Sequence, residues 1–460
     1  MAFIGIDLGT SFIKGAVLNV ETRQVERSRR VPFPNPLPNL NSLIKEFDPA
    51  EVVDATRLLI EELADGVPDC EGLVMCSQMH GMVLAGQRGA PESNCITWLD
   101  HRGLMPHPAG QGTYFDLLTS RATNRQRAQL GQELMVERPI CSLFWMAEQG
   151  FLKPGLIPAS LPDFVLSTLC RTEPGVEATN ASAYGAFNLE ASDWHHELIE
   201  QLGLGNLHWP PLRPCGEVVG ELKVGTKKIP CYTPVGDFQC SLLGAFVASE
   251  ELSLNISTGS QVSRLTKGLA LGDYQTRPYF DGMFLNTFTG APGGRTLNVL
   301  VDLLSEAGTQ DAAELWTYIA KASSEVTETD LEIELFGGAD ERPGKILNIR
   351  TSNFTLGHLF RAAFKQMAKE YHARALQLWP ERAWENLLLT GGLAWKLAGL
   401  RDAIQKEFAT DYRLCPSLDD SLSGLLVLAL VFSGRGESVT SVAREMRSCQ
   451  PQRDLGRNTV

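Results

Sequence analysis

The first eighteen residues constrain the fold more than any other part of the chain. Residues 2–7 (AFIGID) form an apolar run that ends in an acid, residues 12–18 (FIKGAVL) form a second run, and residues 9–11 (GTS) lie between them. Two short apolar runs around a polar, glycine-containing turn predict a β-hairpin. The apolar spacing of residues 50–65 predicts a helix, and residues 72–76 predict a buried strand. A hairpin, a helix and a strand in this order indicate an α/β domain.

Composition and charge exclude several classes of protein. The chain has 460 residues, of which 43% are hydrophobic and 21% charged, as in globular proteins rather than disordered chains, collagens or coiled coils. The net charge of −13 argues against nucleic-acid partners, which need a basic surface. The sequence contains no Walker A, G-x-G-x-x-G or G-x-S-x-G string, so nothing in it supports a P-loop enzyme, a nicotinamide enzyme or a serine hydrolase.

The length, the cysteine pattern and the hydropathy of the chain indicate its number of domains, the state of its thiols and its expected cellular location. This length predicts two or three domains, and we expect residues 1–245 and 246–460 to form two. The ten cysteines include no Cys-x-x-Cys pair, which favours reduced thiols. The N-terminus does not resemble a signal peptide, and the longest apolar run, residues 425–432, is too short to cross a membrane. We therefore expect a cytoplasmic monomer or homodimer without membrane partners.

The second half of the chain contains a similar hairpin pattern. Residues 252–256 and 261–266 predict two strands around the polar turn at residues 257–260 (STGS). Residues 386–390 predict another strand, and residues 421–433 predict a buried helix. The likeness between the two hairpins suggests two related halves.

Four strings carry side chains that can do chemistry, and each also has an ordinary structural explanation. Asp7, followed by glycine and hydroxyl groups, suits Mg²⁺ and phosphate oxygens, with Lys14 as a nearby cation; the alternative is a plain hairpin turn. Asp237 can accept a proton from an attacking hydroxyl, or can cap the helix predicted to follow it. The turn at residues 257–260 and the pair at residues 391–392 allow a phosphate or a flat ring to approach the backbone, or are routine turns.

In this order the strings resemble those of the FGGY family of carbohydrate kinases, over nearly the whole chain. GIDLGTS-x-x-K is similar to the family's first phosphate motif, VGDFQCSLLGAF to its catalytic-aspartate segment, ISTGSQV to its second phosphate turn and LLTGGLAWKLAGLRDAI to its adenosine motif. CSQMHGMVL and ITWLDHR resemble its sugar segments. The resemblance implies an α/β, two-domain actin-like (ribonuclease H-like) sugar kinase fold with a cleft between the domains.

The resemblance also implies roles for particular residues, with ATP and Mg²⁺ as cofactors. Asp237 is the expected general base and, with Asp7, the expected metal-site residue. The residues expected at the nucleotide are Asp7, Gly9, Thr10, Ser11, Lys14, Ser257, Thr258, Gly259, Gly391, Gly392 and Ala394. The residues expected at the sugar are Gln78, Met79, His80, Asp100, Arg102 and Asp237. Two alternatives stay open: Asp100 and Arg102 can form an internal ion pair, and Lys14 can simply brace the hairpin.

Within the family, the strings are most similar to those of sedoheptulokinases. GDFQCS and LNISTGSQV match the sedoheptulokinase strings GDLQAS and LNISTS better than they match xylulokinase strings. Three positions depart from the wider pattern: Phe238 stands where xylulokinases carry Asn, and Ser257 and His101 stand where Gly is usual. We expect an ATP-dependent kinase for the terminal hydroxyl of a ketose, sedoheptulose first, with xylulose or another ketose or polyol as the alternative. A non-catalytic sugar or nucleotide sensor and a chaperone-like ATPase are the alternatives of other classes.

Overall fold

The chain divides into two compact units. The computed structural model describes residues 1–110, 112–306, 312–335, 343–417 and 419–449. Unit 1 contains Met1–Phe246, Lys267–Phe284 and the described residues from Asp419 onward, and unit 2 contains Val247–Thr266 and the described residues from Leu285 to Ser417. The division expected after residue 245 placed all later residues in one domain, whereas two later segments group with the N-terminal part of the chain.

Strands of the described residues are short and numerous. In chain order they are β1 (Ala2–Leu8), β2 (Phe12–Asn19), β3 (Gln24–Pro32), β4 (Glu46–Phe47), β5 (Cys70–Ser77), β6 (Met82–Ala85), β7 (Cys95–Ile96), β8 (Ile157–Ser160), β9 (Phe187–Asn188), β10 (Asp193–Trp194) and β11 (Val218–Val224). They continue with β12 (Lys227–Tyr232), β13 (Val235–Gly236), β14 (Glu251–Ile256), β15 (Ser260–Thr266), β16 (Gln275–Pro278), β17 (Phe284–Ala291), β18 (Glu332–Glu334), β19 (Lys345–Leu347), β20 (Asn386–Thr390) and β21 (Tyr412–Leu414).

Helices alternate with these strands along the chain. The first group contains α1 (Pro49–Ala64), α2 (Tyr114–Arg121), α3 (Asn124–Gln129), α4 (Pro139–Glu148), α5 (Leu161–Cys170), α6 (Ala178–Ala181), α7 (His196–Gln201) and α8 (Asp237–Gly244). The second contains α9 (Gly294–Ser305), α10 (Ala312–Glu325), α11 (Leu356–Leu378), α12 (Gly392–Lys396), α13 (Ala398–Phe408), α14 (Asp420–Phe432) and α15 (Val439–Ser448).

The main sheet of unit 1 is built around the predicted hairpin. β1 pairs antiparallel with β2 and parallel with β5, and the sheet runs in the order β11-β12-β5-β1-β2-β3, with β13 added beside β5. Every residue of β1 is buried, as expected for the apolar run at residues 2–7. The helix predicted over residues 50–65 forms as α1, whose N-terminus is capped by the Asp48 side chain. The sequence therefore predicted the hairpin, the helix and the strand that begin this unit.

Unit 2 repeats the same layout around its own hairpin. β14 pairs antiparallel with β15 and parallel with β20, as β1 does with β2 and β5 in unit 1. The long helix α11 buries one stripe of large side chains, Phe360, Phe364, Met367 and Tyr371. The likeness between the two hairpins noted in the sequence thus extends to the strand that flanks each of them.

The segment before Asp237 consists of two short strands rather than one. β12 ends at Tyr232 and β13 begins at Val235. Pro234 lies between them, and a proline has no backbone N–H to continue a strand ladder. The next helix, α8, begins at Asp237 itself with Gly236 as its N-cap, so the alternative in which Asp237 caps this helix is wrong.

Two further expectations concern membranes and cysteines. Among the described residues, none of the helices has the length and apolar character that spanning a membrane requires. All ten cysteines lie within the described ranges, and each is a free thiol.

Candidate functional site

Asp7 lies at the end of β1, where the main sheet of unit 1 meets its first turn. The residue is only 6% exposed, and Ser421 Oγ donates a hydrogen bond of 2.7 Å to Asp7 Oδ2. The other oxygen, Oδ1, is buried without a hydrogen-bond partner. Burial raises the pKa of Asp7, and the Ser421 hydroxyl and the Lys14 ammonium lower it by less. A buried carboxylate with one unsatisfied oxygen is a place where a cation or a donor fits.

Lys14 faces Asp7 across the hairpin. The two residues are direct partners in the β1–β2 register, and Lys14 Nζ lies 3.9 Å from Asp7 Oδ2 and 3.5 Å from Asp419 Oδ1. Burial lowers the pKa of Lys14, but Asp7 and Asp419 together raise it above its ordinary value. Lys14 therefore stays charged, and its two carboxylate partners favour the bracing alternative that the sequence left open.

Asp237 follows β13, which lies beside β5 on the side away from β1. Val235 and Gly236 pair with Cys76 and Ser77 of β5, while Asp7 pairs with Cys76 from the other side. Because all three strands are parallel, both carboxylates lie at the same edge of the sheet. Burial, followed by the charge of Asp7, raises the pKa of Asp237 to about 8, although part of its surface still reaches solvent.

Two helices cross closely behind these carboxylates. A Cβ at Gly244 of α8 would lie 1.8 Å from the Asp420 carbonyl oxygen, and one at Gly424 of α14 would lie 2.0 Å from the Cys240 carbonyl oxygen. Only glycine permits this approach, which brings the start of α14, with Asp420 and Ser421, to the site. Burial raises the pKa of Asp420 to about 6. The sequence marked this segment as an apolar helix but did not single out Ser421 or Asp420.

The predicted sugar segment follows β5 directly. The Gln78 side chain donates to the Gly9 carbonyl oxygen (3.3 Å) and accepts from the Thr10 hydroxyl (3.3 Å), so it ties this segment to the first turn. The Thr10 hydroxyl also accepts from Trp98 Nε1 at 3.0 Å. The bond that Thr10 donates to Gln78 would have to open before that hydroxyl could donate to phosphate, whereas the bond from Trp98 could stay. Of the remaining turn residues predicted at the nucleotide, Gly9 is partly exposed and Ser11 is exposed.

His80 adopts an unusual backbone conformation beside buried Met79. Its φ is +70°, in the left-handed region that few non-glycine residues occupy, and its Nε2 is buried without a hydrogen-bond partner. Burial, then the charges of Arg138 and Arg277, lowers the pKa of His80 well below its ordinary value. The imidazole is therefore neutral and has one ring nitrogen available to a ligand.

Three charged residues that the sequence analysis did not identify surround this segment. Glu133 is fully buried, and its two carboxylate oxygens bind Arg277 Nε at 2.5 Å and Arg138 Nε at 2.6 Å. Arg277 Nη1 also lies 3.7 Å from Met79 Sδ. Glu133 and Arg138 are five residues apart, but Arg277 comes from a distant part of the chain, and a lone arginine in a polar segment carries no signal of burial. The sequence therefore offered no means of finding them.

Asp100 and Arg102 form the internal ion pair that was the alternative to sugar binding. Arg102 Nε and Nη2 donate to the two Asp100 oxygens at 2.8 and 2.9 Å, and both side chains are buried. Arg102 Nη2 also binds Glu46 at 2.6 Å, and the Lys45 N–H donates to Asp100 Oδ2 at 2.8 Å. Because the pair is satisfied within the protein, it shapes the loop rather than offering open groups to a ligand.

β13, the short strand that leads into Asp237, is supported from α6. The Thr179 hydroxyl accepts a 2.9 Å hydrogen bond from the Gly236 N–H and donates to the Glu177 carboxylate, and Asn180 Nδ2 donates to the Pro234 carbonyl oxygen at 3.2 Å. Burial raises the pKa of Glu177 to about 7. These bonds replace the ladder contacts that Pro234 interrupts, and they set the direction in which the chain enters α8.

The remaining predicted nucleotide residues lie in unit 2. Ser257, Thr258 and Gly259 form the β14–β15 turn, and the Gly294 and Arg295 N–H groups at the start of α9 donate to the Ser257 and Thr258 carbonyl oxygens at 2.7 and 2.9 Å. The start of β15 is held by the Tyr371 hydroxyl, which donates to Ser260 Oγ at 3.0 Å. The turn is thus hydrogen-bonded to α9, and the strand that follows it is hydrogen-bonded to α11.

Gly391 packs against the end of β14, just before this turn, in a space that admits only glycine. Its φ is +86°, and a Cβ would lie 2.4 Å from the Ile256 carbonyl oxygen at the end of β14. A Cβ at Gly392 would meet nothing within 4 Å, whereas Ala394 is fully buried in α12. Unit 2 therefore brings Ser257, Thr258, Gly259, Gly391 and Gly392 into one region, while Ala394 belongs to the packing beneath it.

The geometry in unit 1 suits acid–base and cation chemistry at one sheet edge. Asp7, Asp237 and Asp420 all have raised pKa values, because burial and mutual repulsion disfavour three negative charges in one place. A divalent cation would relieve this repulsion, and the unpartnered Asp7 Oδ1 can face it. Among the described residues, no three Asp, Glu, His or Cys side chains are close enough to hold a metal ion by themselves, so Mg²⁺ would bind at Asp7 Oδ1 together with water or phosphate oxygens.

Known proteins with similar sequences are sugar kinases. A xylulose kinase from Bacillus subtilis (strain 168) is 24% identical over 264 residues, which cover 55% of this chain and 50% of that protein. A gluconokinase from the same organism is 22% identical over 219 residues, 47% of this chain and 40% of that protein. The chain thus matches about half or less of the length of these relatives.

Solved structures match over a longer range. Ligand-bound xylulose kinase from Lactobacillus acidophilus superimposes with a TM-score of 0.80 at 18% identity, covering 96% of this chain and 91% of that one. Plasmodium falciparum glycerol kinase with ADP gives 0.81 at 15% identity, covering 97% and 92%. The predicted fold class, an α/β, two-domain actin-like sugar kinase fold, is confirmed. Residues 2–244, more than half of the chain, match the N-terminal domain of the FGGY family of carbohydrate kinases, and the chain belongs to that family.

Proposed function

We propose that this protein is an ATP-dependent carbohydrate kinase that transfers the γ-phosphate of ATP to the terminal hydroxyl of a ketose, with sedoheptulose as the preferred substrate. The observation that carries the proposal is the pair of carboxylates, Asp7 and Asp237, at one edge of the unit 1 sheet on either side of β5. One carboxylate suits a metal–nucleotide and the other suits a hydroxyl, which are the two reactants of an alcohol kinase.

Asp237 is assigned as the general base. In the reaction the sugar oxygen forms a bond to the γ-phosphorus, the bond between that phosphorus and the β–γ bridging oxygen breaks, and the hydroxyl proton passes to the Asp237 carboxylate. Phosphoryl transfer depends on positioning and charge stabilisation more than on a strong base. Burial and the charge of Asp7 raise the pKa of Asp237 in the metal-free protein, and a bound Mg²⁺ would favour the charged form that accepts the proton.

Asp7 and Asp237 are assigned to the Mg²⁺ site, with Ser421 orienting Asp7. The ion supplies positive charge that neutralises the phosphate oxygens during transfer. The Ser421 hydroxyl holds Asp7 Oδ2, so Oδ1 is the oxygen left for the ion or its water. The first turn (Gly9, Thr10 and Ser11) and the second (Ser257, Thr258 and Gly259) are assigned to the phosphates, and Gly391 and Gly392 to the adenosine.

The substrate assignment rests on the residues around Asp237. Phe238 is apolar where xylulokinases carry Asn, and this removes a polar contact that a xylulose kinase would use. The similar proteins named above act on xylulose, gluconate and glycerol by their names, so xylulose is the second candidate. A longer ketose offers more hydroxyls to the polar groups of Gln78 and His80.

A panel of four substrates tests both the kinase assignment and the substrate assignment. We expect purified protein with ATP and Mg²⁺ to release ADP in the presence of sedoheptulose, more slowly with xylulose and least with gluconate and glycerol, as measured by a coupled ADP assay. Faster turnover of xylulose than of sedoheptulose would overturn the substrate assignment and leave the kinase assignment standing. No sugar-dependent ADP release with any of the four compounds would overturn the kinase assignment itself.

The Asp237→Asn variant tests the catalytic assignment. Loss of the base should lower kcat by about 10²-fold or more while ATP binding is retained. Asp163→Asn is the matched control, because Asp163 is another buried acid of unit 1 with a raised pKa, but its carboxylate is bound by the hydroxyl of Ser160, the N-cap of α5. Turnover by Asp237→Asn at the parental rate would refute the role of this carboxylate.

A further inference from the structure

Arg277 occupies a position that the catalytic scheme does not use. It lies on β16, in the segment that returns to unit 1, and is only 3% exposed. Its Nε donates to Glu133 Oε1 at 2.5 Å, and Glu133 is itself fully buried and held by Arg138. A guanidinium whose Nε donates to a carboxylate can still donate from its terminal Nη groups to other partners.

Those terminal groups lie between the two predicted substrate segments. Arg277 Nη1 is 3.7 Å from Met79 Sδ, and the guanidinium carbon lies 5.6 Å from the centre of the Phe238 ring. A thioether is a weak acceptor, so the contact with Met79 satisfies this donor poorly. The guanidinium therefore stands beside both the Gln78–His80 segment and the residue that follows Asp237.

Two polar atoms without partners belong to residues next in sequence to Met79 and Phe238, which Arg277 contacts. His80 Nε2 and Gln239 Oε1 are buried without hydrogen-bond partners. Gln239 also donates from Nε2 to the Pro278 carbonyl oxygen at 3.3 Å, which links α8 to the strand that carries Arg277. Buried polar atoms without partners are costly unless a ligand or water completes them. A polyol, whose hydroxyls both donate and accept, matches this set.

The charges around Arg277 balance, which bears on the substrate class. Arg277 and Arg138 carry two positive charges, and Glu133 and Glu137 carry two negative ones; Arg138 Nη1 binds Glu137 at 3.0 Å. Asp237 adds a further acidic group on the same side. The carboxylate of a sugar acid would find no surplus positive charge to pair with here, whereas an uncharged sugar needs no such partner.

We propose that Arg277 is a substrate-binding residue that donates from its terminal nitrogens to hydroxyls of an uncharged ketose, and that it supplies the polar contact which Phe238 lacks. This inference rests on the proposed function and deepens it, because it names the residue that selects the sugar. Specificity then comes from a segment far along the chain, held in place by the buried Glu133.

Two substitutions separate the charge of Arg277 from its shape. Arg277→Lys keeps a positive charge that can still pair with Glu133 but loses the fork of donors, and Arg277→Met removes both. We expect the KM for sedoheptulose to rise about 10- to 100-fold in both variants, because the sugar loses one or two hydrogen bonds from a charged donor. The KM for ATP should stay unchanged. In the Arg277→Met background, Phe238→Asn should recover part of the lost sugar affinity.

Arg413→Met is the matched control, because Arg413 also pairs with a fully buried glutamate, Glu251, but does so in unit 2. It should lower the melting temperature and leave the KM for sugar unchanged. A KM for sedoheptulose within about twofold of wild type in folded Arg277→Lys, or an equal rise in the KM for ATP, overturns the inference.

The role of Arg277 can be tested by sugar binding even if the protein shows no kinase activity. In that case, titration calorimetry with sedoheptulose and with xylulose compares wild type and Arg277→Lys without turnover. Weaker binding by the variant supports the role of Arg277, and equal binding, or no binding of either sugar to wild type, overturns it. A wild-type preference for gluconate over both ketoses would likewise overturn the assignment to an uncharged substrate.

Discussion

At the scale of single residues, the site depends on groups whose partners come from distant parts of the chain. Asp7 is visible in the sequence as an acid at a strand end, but Ser421, which binds it, is 414 residues away. The Ser421 hydroxyl lowers the pKa of a carboxylate that burial raises. It thereby favours the charged form that a cation needs.

Ser421→Ala should weaken the metal site without dismantling the fold. Loss of one hydrogen bond to a buried carboxylate costs about 1–3 kcal/mol, so we expect a lower melting temperature and about a tenfold higher Mg²⁺ requirement in the kinase assay. Ser433→Ala is the control, since the Ser433 hydroxyl bonds only to the Leu430 carbonyl oxygen of its own helix among the described contacts. An unchanged Mg²⁺ dependence in Ser421→Ala would argue against its role in orienting Asp7.

At the scale of elements, the crossing of α8 and α14 places Asp237, Asp420 and Ser421 together. Each helix contributes one glycine, Gly244 or Gly424, whose missing side chain lets the backbones approach. Neither glycine has a positive φ, so an alanine is barred there by contact and not by backbone conformation.

Gly424→Ala should therefore separate the two helices. A methyl group 2.0 Å from a backbone oxygen forces a shift, which costs about 1–3 kcal/mol and moves the start of α14 relative to Asp7. We expect a lower melting temperature together with a loss of kcat that exceeds any change in the KM for sugar. Gly268→Ala, where a Cβ would meet nothing within 4 Å, should change neither quantity. Full activity in Gly424→Ala would show that the close crossing is not needed.

At the scale of the whole molecule, unit 1 holds several acids away from water. Burial raises the pKa of Asp420 to about 6, of Glu177 to about 7 and of Asp237 to about 8, and it raises that of Asp163 well above its usual value. Each acid holds its proton more tightly in the folded than in the unfolded chain. The stability they confer is present below their ordinary pKa values and is lost as pH rises through the folded ones.

The melting temperature without ligands should therefore fall between about pH 5 and about pH 8, as followed by circular dichroism. Glu177→Gln should flatten this fall, most clearly below about pH 7, because an amide does not ionise. Glu190→Gln, which changes an exposed glutamate, should leave the pH dependence as in wild type. A Glu177→Gln curve parallel to wild type would contradict the assigned pKa.

Much of the architecture was predictable because its signals are local. The two hairpins, α1, β5, β20 and α14 follow from apolar runs and spacing that neighbouring residues set by themselves. Asp7 and Asp237 were found because an acid directly after an apolar strand stands out in the sequence. The break at Pro234 is also a local feature, because a proline has no backbone N–H to continue a strand ladder.

The chain alone thus determined its strands and helices, its family resemblance and the two carboxylates, because each depends on residues close together in sequence. Tertiary structure decided which other residues lie around those carboxylates. Ser421, Arg277, Glu133 and Thr179 reach the site only when separate segments pack, and their residue types are the same as those of ordinary surface positions. It also decided that Asp100 and Arg102 satisfy each other, since only the folded geometry shows whether a charged pair faces inward or toward a ligand.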